Sequence, residues 1–416
     1  MSIAYIFQLF VRSRLRAAWQ KRNLLLFVAF FSTVYVLCTL LKDFPNDMHR
    51  MNSSDFKVLQ MANNWMHPKN MTQIWKQMDR LISPAGLYPS NININPFKEA
   101  IRSAKIVKAD MFQKQVSYKW ILTLEGGQQI LFKPILLPRD HKAKMCDSDC
   151  EHPEYEIAAF TMNRLLGFNN MPIAVGRKLS WYRDIAPVAS NTLLESVNQT
   201  SAGDLCFYWQ CPKLENMSYF CFNKGVVYGS AQYWVNRGIE TFYNKNRWPY
   251  HDFHFFSDTK EFFHYLQGDD RYCKKFRSEP PYTEDRWFLH IIDMAVLDYL
   301  TNNLDQRHTY LVDNSSQPFA NVMIDFGQAF CRAFSGAQLL AAPIYQCCQI
   351  RRSTYEALLH LKDTLPEKFE WETEDDPIYP ILQPGDFQDM HKRLRELLSL
   401  LDFCLVHKGF KNVLFD

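Results

Sequence analysis

The chain lacks several of the marks that would place its 416 residues in a class at once. Its formal net charge is only +3, from 47 Lys and Arg against 44 Asp and Glu, and it has no basic low-complexity tract. Nothing therefore calls for a nucleic-acid partner, which would need a concentrated basic face. Paired C-x-x-C or Cys/His sets are absent, and Cys146-x3-Cys150 has no partner pair. That pattern argues against a thiolate-bound zinc. No internal repeat is visible, and long uncharged apolar runs are scarce. One such run stands out, and it lies near the start.

Residues 24–41, LLLFVAFFSTVYVLCTLL, are just long enough to span a bilayer as a helix. Arg12, Arg14, Arg16, Lys21 and Arg22 precede the run, and Lys42, Asp43 and Asp47 follow it. The positive-inside bias puts residues 1–23 in the cytosol and everything after residue 41 in a lumen. A cleaved signal peptide is the competing reading. Against it, the run starts late, is long for such a segment and lacks a small-x-small exit. Five N-x-Ser/Thr sequons, at Asn52, Asn70, Asn198, Asn216 and Asn314, all lie beyond it. Ten of the eleven cysteines lie beyond it too, an even set that reads as disulfides in an oxidising compartment. Spacing alone does not give their pairing.

Residues 42–95 read as a polar stem, partly helical around 71–81. Strand signals follow: residues 118–124 are β-rich, Glu125-Gly126-Gly127-Gln128 is a hairpin turn, and 129–134 return, ending on Lys133 and Pro134. A helix is expected over 155–166, with Glu151 just before it and Glu156 in its first turn. A second small sheet is expected near 173–187. Amphipathic helices are expected around 260–266, 354–361 and 386–403. Between them an apolar helix, 287–300, leads into the polar loop Asn302-Asn303-Leu304-Asp305-Gln306-Arg307-His308. A short strand, 322–324, then delivers Asp325-Phe326-Gly327. The expected architecture is α+β, with a β-rich first half, a helical second half and the charged candidates at their junction.

One Asp in a loop after a helix and a second Asp closing a strand is a phosphotransferase layout. The first carboxylate can take the proton of an attacking hydroxyl, and the second can hold a metal against nucleotide phosphates. Lys133 could pair the phosphates while Glu156 positions it. The bland alternatives are solvated loop aspartates, a strand-end lysine in water and a helix-start charge.

Several strings in one order make the choice. Leu124-Glu-Gly-Gly-Gln128, Phe132-Lys-Pro134, Glu156-Ile-Ala-Ala-Phe160, Arg164-Leu-Leu-Gly-Phe168, Asp298-Tyr-Leu300 with Asn303-x-Asp305, and Ala342-Pro-Ile-Tyr-Gln-Cys-Cys348 resemble the Golgi secretory-pathway kinases. That family contains the casein kinase of secreted proteins and the glycosaminoglycan xylosylkinase. The glycine turn and the Pro-x-Tyr-Gln-Cys-Cys string look closer to the xylosylkinase branch.

The resemblance implies an atypical two-lobed protein-kinase-like fold behind a transmembrane anchor. Its N-lobe would span 96–228 and its C-lobe 229–416. It implies Asp305 as the catalytic carboxylate and Lys133 as the phosphate lysine, with Glu156 as its helix partner. Gln232, Tyr233, Trp234 and Val235 would border the adenine of ATP, and Asp325 with Glu151 would hold Mn2+ or Mg2+. The implied disulfides are Cys206–Cys221, Cys273–Cys347 and Cys348–Cys404, leaving Cys146, Cys150, Cys211 and Cys331 unassigned. The implied activity is phosphorylation of the 2-hydroxyl of xylose in the glycan linkage region of proteoglycans, within the Golgi lumen. Where the family loop reads Asp-Arg-His-His, this chain has Asp305-Gln306-Arg307-His308, and Tyr310 stands at an often acidic position. Two other readings stay open: a luminal protein kinase with a basic rim (Lys274, Lys275, Arg277), and an inactive member that pairs with a related kinase.

Overall fold

The computed structural model describes residues 70–112, 118–135, 152–201, 204–209, 218–241, 271–303, 309–330 and 340–416. The apolar run at 24–41 and the helix expected at 260–266 lie outside the described residues. Among the described residues no helix is long and apolar enough to cross a membrane.

Helix α1, Met71–Leu81, begins where the Asn70 side chain accepts a hydrogen bond from Thr72 N and satisfies an orphan helix donor. Its buried Trp75 donates from Nε1 to Glu125 O, 2.9 Å away, in the hairpin turn. That turn needs Gly126, whose φ is 85°; a Cβ there would stand 2.7 Å from Thr72 N. Trp75, Met78, Ile82, Leu87, Tyr88 and Ile94 are all buried. Residues 71–94 are thus part of the folded body, and the expected stem to residue 95 is corrected. Their apolar side chains are interrupted by polar residues and by Ser83-Pro84 and Pro89-Ser90-Asn91, so only the surface they cover reveals them as core.

Helix α2, Asn95–Ser103, leads to strands β1, Ile106–Met111, β2, Trp120–Leu124, and β3, Gln129–Pro134. Helix α3 follows over Pro153–Leu165, then β4, Ala174–Ser180, β5, Val197–Gln199, β6, Leu205–Trp209, β7, Ser218–Phe222, and β8, Val226–Tyr233. Strands β1-β2-β3-β8-β4 form one antiparallel sheet. The second sheet expected at 173–187 is therefore an edge strand of the first. Strand β8 also shifts the expected lobe boundary, since a cut at 229 would divide it between β3 and β4. Strands β5, β6 and β7 make a separate small sheet, and Cys206 faces Cys221 across it. The sheets meet through stacked and tilted rings: Trp120 lies 5.3 Å from Phe132 and 5.5 Å from Phe207, which is 5.4 Å from Trp181.

The second half holds strand β9, Ile239–Thr241, helix α4, Arg271–Arg277, and helix α5, Asp285–Thr301. Strands β10, Thr309–Val312, and β11, Pro318–Val322, come next, followed by helices α6, Ala342–Cys347, α7, Arg352–Thr373, and α8, Pro384–Lys408. Helix α5 is buried from Trp287 to Thr301, as expected of a helix apolar on every face. Within it, buried Asp293 is met by Arg351 Nε at 2.7 Å and Thr354 Oγ1 at 2.8 Å. Burial pushes that carboxyl above its usual range, and Arg351 opposes the rise. Helix α7 runs well past the expected 354–361, through Pro366, because Leu365 and Phe369 bury beyond it. The ladder at 322–324 stops at Val322, and Met323 N donates instead to Asn170 O at 2.9 Å. Cys273 is bonded to Cys347 and Cys348 to Cys404, so α4, α6 and α8 are stapled together.

Past the end of α7, the buried carboxylate of Asp376 ties the helical half to the sheet. Arg102 Nη2 donates to Oδ2 at 3.0 Å, and Gly176 N donates to the same oxygen at 2.8 Å. A Cβ at Gly176 would stand 1.9 Å from Asp376 Oδ1. Gly176→Ala is expected to destabilise the protein by roughly 1–3 kcal/mol through forced displacement of that carboxylate. Urea unfolding of the variant measures this, and Asp376→Ala should also lose stability by removing the acceptor that half-buried Arg102 and Gly176 N share.

Candidate active site

Four charged side chains converge where the five-stranded sheet, α3 and the segment after β11 meet. Lys133, at the end of β3, donates from Nζ to Glu156 Oε1 and to Asp325 Oδ1, the latter at 2.9 Å. The other Glu156 oxygen accepts from Phe326 N at 3.0 Å. His152 N, just ahead of α3, donates to Gly327 O at 2.8 Å. The helix start and the Asp325-Phe326-Gly327 segment are thereby stitched together by side chain and backbone. Asp325 has a φ of 69°, a left-handed conformation that aspartate tolerates better than most residues.

Lys119 is the member that sequence reading missed. Its Nζ lies 3.6 Å from the same Asp325 oxygen, and its side chain, like that of Lys133, is only 2% exposed. A signal was present in the hairpin. The turn at 125–128 sets the register Trp120↔Phe132, which places residue 119 opposite residue 133.

Asp305 and Glu151 lie outside the described residues. Asn302 ends α5 in a left-handed cap with φ 51°. The buried Asn303 donates from N to Asp298 O at 2.9 Å and from Nδ2 to Asp298 Oδ1 at 2.9 Å. Phe330 N donates to Thr301 O, 2.6 Å away, fixing the far side of the Asp325 segment to the same helix end. After the loop, the Tyr310 hydroxyl donates to Glu240 Oε2 at 3.0 Å; burial and that carboxylate both push its pKa up. Among the described residues no group of three His, Cys, Asp or Glu side chains could hold a metal.

Gln232, Tyr233, Trp234 and Val235 occupy the exit of β8. Tyr233 and Val235 are buried, whereas Gln232 and Trp234 are half-buried. The Tyr233 hydroxyl donates to Asp79 of α1; burial and the carboxylate raise it far above the usual tyrosine range. The Trp234 carbonyl accepts from Gln128 Nε2 at 2.8 Å, and Trp234 N donates to Gln129 O at 3.1 Å. The exit strand is held by the hairpin turn on one side and α1 on the other.

The remaining expected residues are spread over the surface or the frame. Cys206–Cys221, Cys273–Cys347 and Cys348–Cys404 are present as bonds, while Cys146, Cys150, Cys211 and Cys331 lie outside the described residues. Asn70, Asn198 and Asn314 are exposed; Asn52 and Asn216 are outside the described residues. Lys274 and Lys275 are exposed on α4, but Arg277 is committed to Asp285 and Gln349 within the fold.

Residues 73–413 match the family described as Golgi casein kinase, C-terminal, Fam20. The chain belongs to the Fam20 family. A human relative, glycosaminoglycan xylosylkinase, is 29% identical over 353 residues, covering 82% of this chain and 83% of its own. The human extracellular serine/threonine protein kinase FAM20C is 26% identical over 347 residues, covering 77% of this chain and 56% of its own. The human pseudokinase FAM20A is 24% identical, covering 82% and 67%. Among solved structures, hydra Fam20 with sugar superposes with a TM-score of 0.68 at 25% identity, covering 82% of this chain and 97% of that one. A Golgi casein kinase with Mn and ADP bound has a TM-score of 0.68 at 23% identity, covering 83% and 85%, and supports the kinase-like fold.

In this Fam20 member, Glu156 neutralises a lysine that has almost no access to water. Glu156→Ala should therefore cost about 3–5 kcal/mol of unfolding free energy, the usual penalty for removing one partner of a buried ion pair. Chemical denaturation tests this, and a loss within 1 kcal/mol of zero would show that the pair is not buried as described.

Proposed function

We propose that this Fam20 protein is an ATP-dependent kinase of the Golgi lumen that phosphorylates the 2-hydroxyl of xylose in the proteoglycan linkage region. The observation that carries the reading is Lys133 held between Glu156 and Asp325. A buried ammonium shared by a helix carboxylate and a carboxylate after a strand is the arrangement that kinases use for phosphoryl transfer from a nucleotide. The xylose acceptor is supported by the relatives named glycosaminoglycan xylosylkinase, which match over most of their own length. Residues 24–41 supply the proposed type II membrane anchor, with the cytosolic tail before them and the exposed sequons in the lumen.

Asp305 accepts the proton of the sugar hydroxyl as its oxygen attacks the terminal phosphorus of ATP. The bond from that phosphorus to the bridging oxygen breaks, and ADP leaves. Lys133, kept in place by Glu156, offsets the negative charge that shifts towards the leaving oxygens. Residues at the exit of β8, Gln232 to Val235, border the adenine. Asp325 and Glu151 would hold a divalent cation, Mn2+ or Mg2+, for which carboxylate oxygens are suitable donors. The Asp325 oxygen that now draws two lysines marks a point where positive charge is favoured, and this fits such an ion. When bound, the ion supplies charge neutralisation of the phosphates. The Tyr233 side chain is enclosed and bonded to Asp79, so it holds the exit strand in place.

The test offers purified luminal protein, labelled ATP and Mn2+ to a xylose-containing linkage glycan and to casein side by side. Label on the glycan is the expected result. Label on casein alone would transfer the reading to a luminal protein kinase, and absence of both label and ATP binding would make the chain a binding partner of a related kinase. Lys133→Met is expected to lower kcat by about a hundredfold to a thousandfold, the range seen when one preorganised charge-stabilising donor is removed. Asp325→Ala should fall to background.

A further inference from the structure

We infer that Lys119 is a second phosphate-binding lysine, the cross-strand twin of Lys133, and that it hands Asp325 over when nucleotide arrives. The inference rests on the kinase reading above and adds a residue to it. Extension of the β2–β3 register puts the two lysines opposite each other on adjacent strands. Like charges directly opposite across a sheet are unfavourable, and burying each ammonium raises the cost further. A frame without need of that charge would place an apolar or neutral pair there. Here both ammonium groups are buried and reach one carboxylate oxygen, Asp325 Oδ1, at 2.9 Å and 3.6 Å.

Lys133 has Glu156, which is itself anchored by Phe326 N. Lys119 stands one residue ahead of β2, where Phe112 N donates to its carbonyl at 2.9 Å and fixes its backbone. A phosphate chain entering beside Asp325 brings several anionic oxygens to the same point. Lys119 can exchange the carboxylate oxygen for a phosphate oxygen with little movement, leaving Asp325 to the cation that accompanies the nucleotide. Lys133 and Lys119 then flank the phosphates from neighbouring strands.

Calorimetric binding of adenosine, AMP and ATP, with and without Mn2+, to wild type, Lys119→Gln and Lys119→Arg tests this. The expected result is adenosine binding unchanged in all three proteins. ATP binding to Lys119→Gln should weaken about tenfold to a hundredfold, as for loss of one charge-assisted contact, with much of the loss recovered in Lys119→Arg. Equal ATP affinity in Lys119→Gln and wild type would overturn the proposal. So would a Lys119→Gln protein that loses adenosine binding or fails to fold, because the lysine would then serve the frame. A wild type that binds none of the three ligands would instead defeat the kinase reading itself.

Discussion

The ion pair between Lys133 and Glu156 is the interaction on which the rest of the site depends. A lysine with almost no solvent access is tolerable only if its charge is matched and its donors are used. Glu156 matches it from α3, and Asp325 matches it from the segment after β11. Because Glu156 also receives Phe326 N, one carboxylate sets the distance between the sheet, the helix and the Asp325 segment. The backbone bond from His152 to Gly327 repeats that constraint one helical turn earlier.

Such a junction needs a frame that does not yield. The sheet side is closed by rings, with Trp120, Phe132, Phe207 and Trp181 packed across two sheets. The helical side is closed by covalent staples between α4, α6 and α8. Asp376 and Arg102 then join the two sides away from the charged centre. Arg177 adds to this tie by donating to the carbonyls of Ile101 and Ala104 at the C-terminal end of α2; burial lowers its pKa to about 10, which still leaves it charged at neutral pH. The frame therefore contains charges of its own, each with a partner, and they keep α2, β4 and the end of α7 in fixed relation.

Much of this was legible in the residues. The hairpin of β2 and β3 follows from alternation about a Gly-Gly turn, and Lys133 follows from its end. Helix α1 coincides with the helical stretch expected at 71–81, and α5 and α8 with their apolar spacing. Those features are local, so neighbouring residues encode them. What failed was non-local. Strand β4 was assigned to another sheet because its partner β8 lies some fifty residues on in sequence and no local pattern names it. Residues 71–94 read as stem because apolar side chains broken up by polar, Pro and Asn residues signal burial only when the surface they cover is known. Lys119 was overlooked because a lysine before a strand is usually solvated, and only its neighbour across the ladder shows otherwise.

The sequence by itself determined the order of elements, the family, the turn that sets the hairpin register and the identities of the charged groups. The tertiary structure alone decided that Lys119, Lys133, Glu156 and Asp325 meet, and that Asp376 bridges the halves. The physical reason is distance along the chain. Groups as far apart in the chain as Arg102 and Asp376 interact only after strand pairing and helix packing have brought them together, and the strength of a buried charge pair depends on the water those contacts exclude.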